Sequence, residues 1–254
     1  MLSLNNSESL KEKEEIDKDA WSRYANDNQQ KQNFLLHKIN KLSTARKFLD
    51  KIDRYNHIFD SASSILELGG GSCWASHIVK KFFPTSLVVG SDIAEAATNC
   101  SHEIWGSVIN SQIDKAIACT SYEIPYPDES FDLIFCFESA HHFGKHKKTL
   151  TEIKRVLKPG GHCLYLNEPG CQRFIYPLAY KRVNAKRPQI PEDVLVYKNI
   201  ASIARSLDFK VDIIFSPHLT NRSPKETIYF YVLNIVPILQ NILPCTIDIM
   251  FTKA

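Results

Sequence analysis

The chain has 254 residues, enough for one large α/β domain or two small ones. Apolar residues make up 44% and charged residues 23%, a balance that excludes long disorder. Lys and Arg number 31 against 28 Asp and Glu, and an excess of +3 is too small and too dispersed for binding nucleic acid through its phosphates.

Residues 1–18 read as a loose, charged leader without the apolar stretch of a signal peptide. From Asp19 to about Asp60, apolar residues such as Trp21, Tyr24, Phe34, Ile39, Phe48 and Ile52 recur at three- and four-residue spacing, the pattern of amphipathic helices. Residues 1–60 are therefore expected as a helical cap on a single domain, 61–254. After Ser64 short apolar runs alternate with helical stretches. Strands are predicted over 65–68, 87–91, 116–119, 132–137, 162–166, 210–215 and 245–251, with helices over 74–83, 147–157 and 199–207. Pro159-Gly160-Gly161 is the predicted stop of the second of these helices. Strands alternating with helices imply a doubly wound parallel α/β sheet.

Seven cysteines, an odd number without a Cys-x-x-Cys pair or zinc-ligand spacing, fit a reducing cytosol, and no metal site is predicted. Between Glu226 and Asp248 there is no charge, and 228–236 is strongly apolar. Asn234, Pro237, Gln240, Asn241 and Pro244 interrupt the stretch, which reads as a buried helix followed by a strand. The other reading is a contact of 228–244 with a membrane or lipid, or with an apolar ligand.

The chemistry starts at Ile65-Leu66-Glu67-Leu68-Gly69-Gly70-Gly71-Ser72-Cys73-Trp74: a strand ends, three glycines turn, and a helix opens. Glycines there let a ligand approach the backbone and permit positive φ. Asp92 closes the second strand about 20 residues later, placed to accept hydrogen bonds from two ribose hydroxyls, or alternatively to cap the next helix. A dinucleotide fingerprint wants a small residue where Trp74 stands, and Glu67 at the strand mouth disfavours a pyrophosphate. A nucleoside with a sulfonium and an ammonium and no phosphate, S-adenosylmethionine, suits these charges better than NAD.

With ILELGGGS (65–72), SDI around Asp92, IPYPDESFDLIFC (124–136) and EIKRVLKPGG (152–161) in this order, the chain resembles the class I S-adenosylmethionine-dependent methyltransferases of the small-molecule type 11 kind. The resemblance covers about residues 60–170. It implies a Rossmann-like sheet of seven strands with the last antiparallel. It also implies that Glu67, Gly69, Gly70 and Gly71 hold the methionine end, Asp92 the ribose, and Ile93 the adenine. Thr120 and Ser121 stand where the family often has an acidic residue for the adenine amino group, and Cys73 stands for a common third glycine. Phe137 and, in the cap, Tyr24 complete the expected cofactor contacts. S-adenosylhomocysteine is the implied product.

Glu138-Ser139-Ala140-His141-His142 follows the fourth strand and is similar to the Glu-Ser-x-His-His stretch of natural-product sugar O-methyltransferases, and to Glu-Ser stretches of tocopherol and sterol methyltransferases. By that likeness Glu138, His141 and His142 are the catalytic candidates, one histidine deprotonating or positioning a hydroxyl. Either His141 or His142 can be the inward one; the bland arrangement has His142 packed and only His141 facing solvent. The connection 168–195 is longer than an ordinary loop and is expected to build the acceptor pocket. Three readings follow: O-methylation of a small molecule, C-methylation of a quinone- or lipid-like acceptor, and a non-catalytic cofactor-binding module. The protein is expected in the cytoplasm.

Overall fold

Alternation within one strand divides the core. The apolar run after Ser130 folds as β4 (Phe131–Phe137). Its Leu133 and Phe135 join one buried cluster with Phe48, Phe59, Ile65 and Val79, while Ile134 and Cys136 join another with Leu66, Leu150, Ile153 and Tyr165. Successive side chains of a strand point to opposite faces, so a continuous apolar strand lies in a sheet covered on both sides. This is a computed structural model, and it describes Glu15, Lys18 and residues 44–185, 192–220 and 222–254.

The other strands are β1 (Ser64–Glu67), β2 (Leu87–Asp92), β3 (Lys115–Ala118), β5 (Leu157–Cys171), β6 (Leu195–Val196), β7 (Phe209–Phe215) and β8 (Cys245–Lys253). Their order is β3-β2-β1-β4-β5-β8-β7, and the two-residue β6 pairs with β5 beside that path. β1 to β5 run parallel, and β8 is antiparallel to both β5 and β7. The expected seven strands and antiparallel last strand are thus present, with β6 an eighth.

Three expectations change. The helix α6 (His146–Val156) buries Leu150, Ile153 and Val156 at three-residue spacing but ends before Leu157, which already pairs with Phe131. Pro159-Gly160-Gly161 therefore forms an irregularity inside β5, with Gly160 at φ +74, rather than the helix stop. The stretch after Glu226 is not a buried helix: in α9 (Pro224–Ile235) only Phe230 and Leu233 are buried, and Ile228 and Ile235 are 66% and 59% exposed. Nor is it long enough to span a bilayer; no helix among the described residues is. Of the expected cap, α1 (Thr44–Arg54) and α2 (Asn56–Ser61) are described and bury Phe48, Ile52 and Phe59. Trp21, Tyr24, Phe34 and Ile39 lie outside the described residues. All seven cysteines are free thiols.

Candidate active site

The carboxyl ends of β1, β2, β4 and β5 meet at one edge, where open α/β sheets bind ligands. The glycine loop between β1 and α3 (Trp74–Phe82) is set by sterics. Gly69 and Gly71 take φ +67 and +57, which only glycine adopts without strain. A Cβ on Gly70 would come within 2.6 Å of the Glu67 carboxyl carbon, and one on Gly69 within 2.9 Å of Ser139 Oγ. The loop thus rests on Glu67 and is faced by the segment after β4. Cys73 also takes a left-handed φ of 58. Its thiol fits because the strand opposite has a glycine; a Cβ on Gly90 would lie 2.6 Å from the sulfur.

Two buried carboxylates flank this loop. Glu67 is 2% exposed, accepts a hydrogen bond from the Ser76 amide at 3.0 Å and another from its hydroxyl, and is pushed by burial up to about 7. Asp92 is 7% exposed and is likewise pushed up by burial. Its Oδ2 accepts from Gly71 N–H at 2.7 Å and its Oδ1 from Ala94 N–H at 2.9 Å, so Asp92 joins the glycine loop to the turn entering the next helix. Neither carboxylate is within ion-pair distance of a cation among the described residues. A cationic ligand would supply the missing charge, and a pyrophosphate would be repelled.

Around this pair, Ile93 is part-exposed at the end of β2. Thr120 Oγ1 is buried without a hydrogen-bond partner, an orphaned acceptor and donor that a ligand amino group or ring nitrogen can meet. Ser121 is committed elsewhere, its hydroxyl 2.9 Å from Thr149 Oγ1 on α6. Phe137 is 8% exposed and packs edge-on against Phe48 and Trp74, with centroids 5.1 and 5.9 Å away, so its ring belongs mostly to the core.

The segment after β4 is organised by a residue not singled out in the sequence. Glu168, fully buried in β5, accepts from the amides of Ser139 and Ala140 at 2.8 Å each and from the His141 amide at 3.2 Å. Its Oε2 also accepts from His141 Nδ1 at 2.7 Å. His141 Nε2 lies 2.9 Å from Glu192 Oε2, and His142 Nε2 lies 3.5 Å from the same oxygen. Although burial works against the charge, the two carboxylates push His141 up to about 10. His141 is therefore an imidazolium at neutral pH, with both nitrogens engaged. The burial order is the reverse of the bland expectation: the His141 side chain is 7% exposed and that of His142 is 26%. His141, His142 and Glu192 bring three ligand-type atoms within 4.8 Å of one another, a grouping that would take a divalent cation only after His141 gives up a proton, and that no spacing in the sequence announces.

Glu138 sits at the end of β4 with φ 50, beside Asn167 of β5 with φ 58. These two left-handed residues turn their side chains together, and Asn167 Nδ2 donates to Glu138 Oε1. Lys47 of α1 reaches the same oxygen at 3.3 Å. Behind them, Lys51 Nζ lies 2.7 Å from Asp248 Oδ2 in β8, which also accepts from Tyr55 OH at 3.1 Å. Asp248 Oδ1 accepts from the Asn167 amide at 2.8 Å. A polar chain thus runs from α1 through β8 and β5 to Glu138.

Comparison with known proteins places this edge in context. Residues 66–165 match the sequence profile of the methyltransferase-domain family. The uncharacterized methyltransferase YcgJ of Bacillus subtilis (strain 168) is 32% identical over 108 residues, which are 41% of this chain and 40% of that protein. A fatty-acid O-methyltransferase of Mycolicibacterium smegmatis is 30% identical over 129 residues, 46% of this chain and 44% of that protein. The chain thus spans less than half the length of these curated relatives. In fold, it is similar to a geranyl diphosphate C-methyltransferase from Streptomyces coelicolor A3(2), solved with Mg2+, geranyl diphosphate and S-adenosyl-L-homocysteine. The TM-score is 0.64 at 12% identity, covering 83% of this chain and 80% of that one.

Proposed function

We propose that this chain, which carries a class I S-adenosylmethionine-dependent methyltransferase domain, moves the methyl group of that cofactor to a hydroxyl oxygen of a small-molecule acceptor. The observation that carries the reading is the glycine loop flanked by Glu67 and Asp92, two buried carboxylates without a cationic partner among the described residues. The cofactor, when bound, supplies an activated methyl on a sulfonium. Asp92 holds the ribose hydroxyls, Glu67 beneath the loop balances the cationic methionine end, Thr120 and Ile93 meet the adenine, and Gly69, Gly70 and Gly71 leave room for the ligand.

The main contribution of the chain is in-line placement of the acceptor, an effect worth several kcal/mol. A hydroxyl must also lose its proton. His141, an imidazolium between Glu168 and Glu192, has no lone pair to accept it. His142 is therefore assigned the proton, with His141 as the positioning residue and Glu138 lining the same edge. Glu192, which meets His141 Nε2 at 2.9 Å, is assigned to one wall of the acceptor pocket. A second reading, methylation at carbon of a lipid-like acceptor, is favoured by the exposed apolar side chains Ile228, Tyr231 and Ile235 of α9, which would meet an apolar acceptor or a lipid surface.

Replacing His142 with Asn is expected to lower turnover of a hydroxyl acceptor by about 10²–10⁴-fold while leaving S-adenosylhomocysteine affinity unchanged. Product formation with an acceptor panel and calorimetry measure the two, and full turnover in H142N would remove the base. A second prediction concerns pH. Burial favours neutral Glu67, so its contribution to stability of the ligand-free chain is complete below about 4.5 and is lost as pH rises through about 7. A cationic ligand needs the ionised form, so S-adenosylmethionine affinity is expected to rise from pH 6 to 8. Calorimetry across that range should find the rise in the native chain and a flat profile in Glu67→Gln.

A further inference from the structure

Arg222 is a part-buried guanidinium with no carboxylate within ion-pair distance among the described residues, an unusual condition for an arginine taken out of bulk water. It is nevertheless held firmly. Its Nη2 donates to His218 Nε2 at 3.0 Å and to Thr246 Oγ1 at 3.4 Å, and its Nε donates to the His218 carbonyl at 3.4 Å. The face of the guanidinium lies over the Phe230 ring, 3.9 Å from the centroid, and the His218 ring is stacked on Phe230 at 6.2 Å with an interplanar angle of 13°. A guanidinium has five N–H donors. Three are used by these contacts, and both hydrogens of Nη1 have no acceptor among the described residues.

The position of this group ties it to the candidate active site. Thr246 lies on the same face of β8 as Asp248, two residues on, whose Oδ1 holds the amide of Asn167 beside Glu138. Nearby cations are already matched, Lys51 by Asp248 and Lys47 by Glu138, so Arg222 is the unmatched one of the three. His218 feels all three; burial and the charges of Arg222, Lys47 and Lys51 pull it down to about 3, which keeps its ring neutral and its Nε2 an acceptor for Arg222. The arrangement is a guanidinium oriented in advance by an imidazole, a hydroxyl and an aromatic face.

We propose that Arg222 is an oxyanion subsite that binds a carboxylate or phosphate of the acceptor through Nη1, so that the molecule methylated carries an anionic group besides its hydroxyl. The word acceptor rests on the methyl-transfer reading; the oxyanion site itself does not. Arginine suits the task because its fork matches the planar oxygens of a carboxylate or the edge of a phosphate, and because it keeps its charge. Arg182 does not compete for this role, since it stands 3.9 Å from Glu226 and over the Tyr229 ring.

Thermal unfolding of the full chain, titrated at constant ionic strength with acetate and separately with inorganic phosphate in place of chloride, tests the subsite. The native chain is expected to gain stability saturably with at least one of these ions, and which one distinguishes a carboxylate from a phosphate ester. Arg222→Gln should weaken the apparent affinity at least tenfold. Arg222→Lys, which keeps the charge and loses the fork, should fall in between and serves if the glutamine variant does not fold. S-adenosylhomocysteine binding, measured on the same samples, should be equal in all three. An absent saturable response in the native chain, or an equal response in the variants, overturns the subsite. Failure of S-adenosylhomocysteine to bind any of them would overturn the methyl-transfer reading and leave the oxyanion result legible.

Discussion

Replacing Glu168 with Gln is expected to cost more function than any change to the histidines' own neighbours on the surface. One carboxylate accepts three backbone N–H groups and the His141 imidazolium, all inside the fold. A glutamine can still accept from Ser139 and Ala140, but it presents an amide N–H₂ to the His141 amide and ring, which then face a donor. Hydrogen bonds to charged groups contribute about 1.5–3 kcal/mol each, and a buried donor left without an acceptor costs about 1–3 kcal/mol. A loss of about 2–4 kcal/mol in unfolding free energy is therefore expected, with turnover down on the order of 100-fold because the turn carrying both histidines moves. His141 should titrate lower than in the native chain, and S-adenosylhomocysteine affinity should fall far less than turnover, since Glu168 reaches the glycine loop only through Ser139, whose amide a glutamine still accepts. The sign of the pH dependence follows from the raised histidine. Its contribution to stability is complete below about 6.5 and is lost as pH rises through about 10, so part of the gap between native chain and variant should close in alkali. Denaturant unfolding at several pH values and an imidazole NMR titration read both effects; an unchanged His141 titration would remove Glu168 as its anchor.

A second large effect is expected at Lys51. Its ammonium and Asp248 are 5% and 1% exposed and 2.7 Å apart, with Ser216 Oγ accepting a further hydrogen bond from Lys51 at 2.7 Å. Burial pulls Lys51 below its usual range even with the carboxylate beside it. Removing one member of such a pair leaves an uncompensated charge, at about 3–5 kcal/mol, whereas replacing both by apolar residues of similar volume is often nearly neutral. Lys51→Met should therefore destabilise strongly, and Lys51→Met with Asp248→Leu should recover only part of the loss, because Tyr55 OH and the Asn167 amide then lack an acceptor. Urea unfolding of the singles and the double variant forms the cycle. A single variant within 1 kcal/mol of the native chain would mean that the pair is not what fastens α1 to the sheet.

The contrast between these residues and the glycine loop explains what the sequence could reveal. Gly69, Gly71, Glu67 and Asp92 are legible because strand, turn and acid follow one another within about 25 positions, so local order carries the message. The continuous apolar run in 132–137 likewise reads as a strand covered on both faces. Glu168 and Glu192 were not singled out because their meaning is a meeting in space: they converge on His141 from 27 and 51 residues away. The segment 168–195 drew attention by its length, without showing which side chain mattered. Apolar composition alone misread α9, because 228–236 has no period that separates an inward from an outward face. Arg222 had no signal at all, since an arginine in a polar loop reads as solvated until its missing counter-ion is seen.

The antiparallel strand has a consequence for how the molecule is made. β8 is the last strand in sequence, yet it lies inside the sheet between β5 and β7, bonded to both. During synthesis β5 and β7 emerge from the ribosome with their inner edges bare, and they stay so until residues 245–253 have cleared the exit tunnel. A nascent chain halted before that point would present two sticky margins to chaperones or to its neighbours. Completion of the sheet is thereby coupled to the synthesis of residues 245–253, and the same strand carries Asp248, the anchor of α1, so α1 can lock only when β8 arrives.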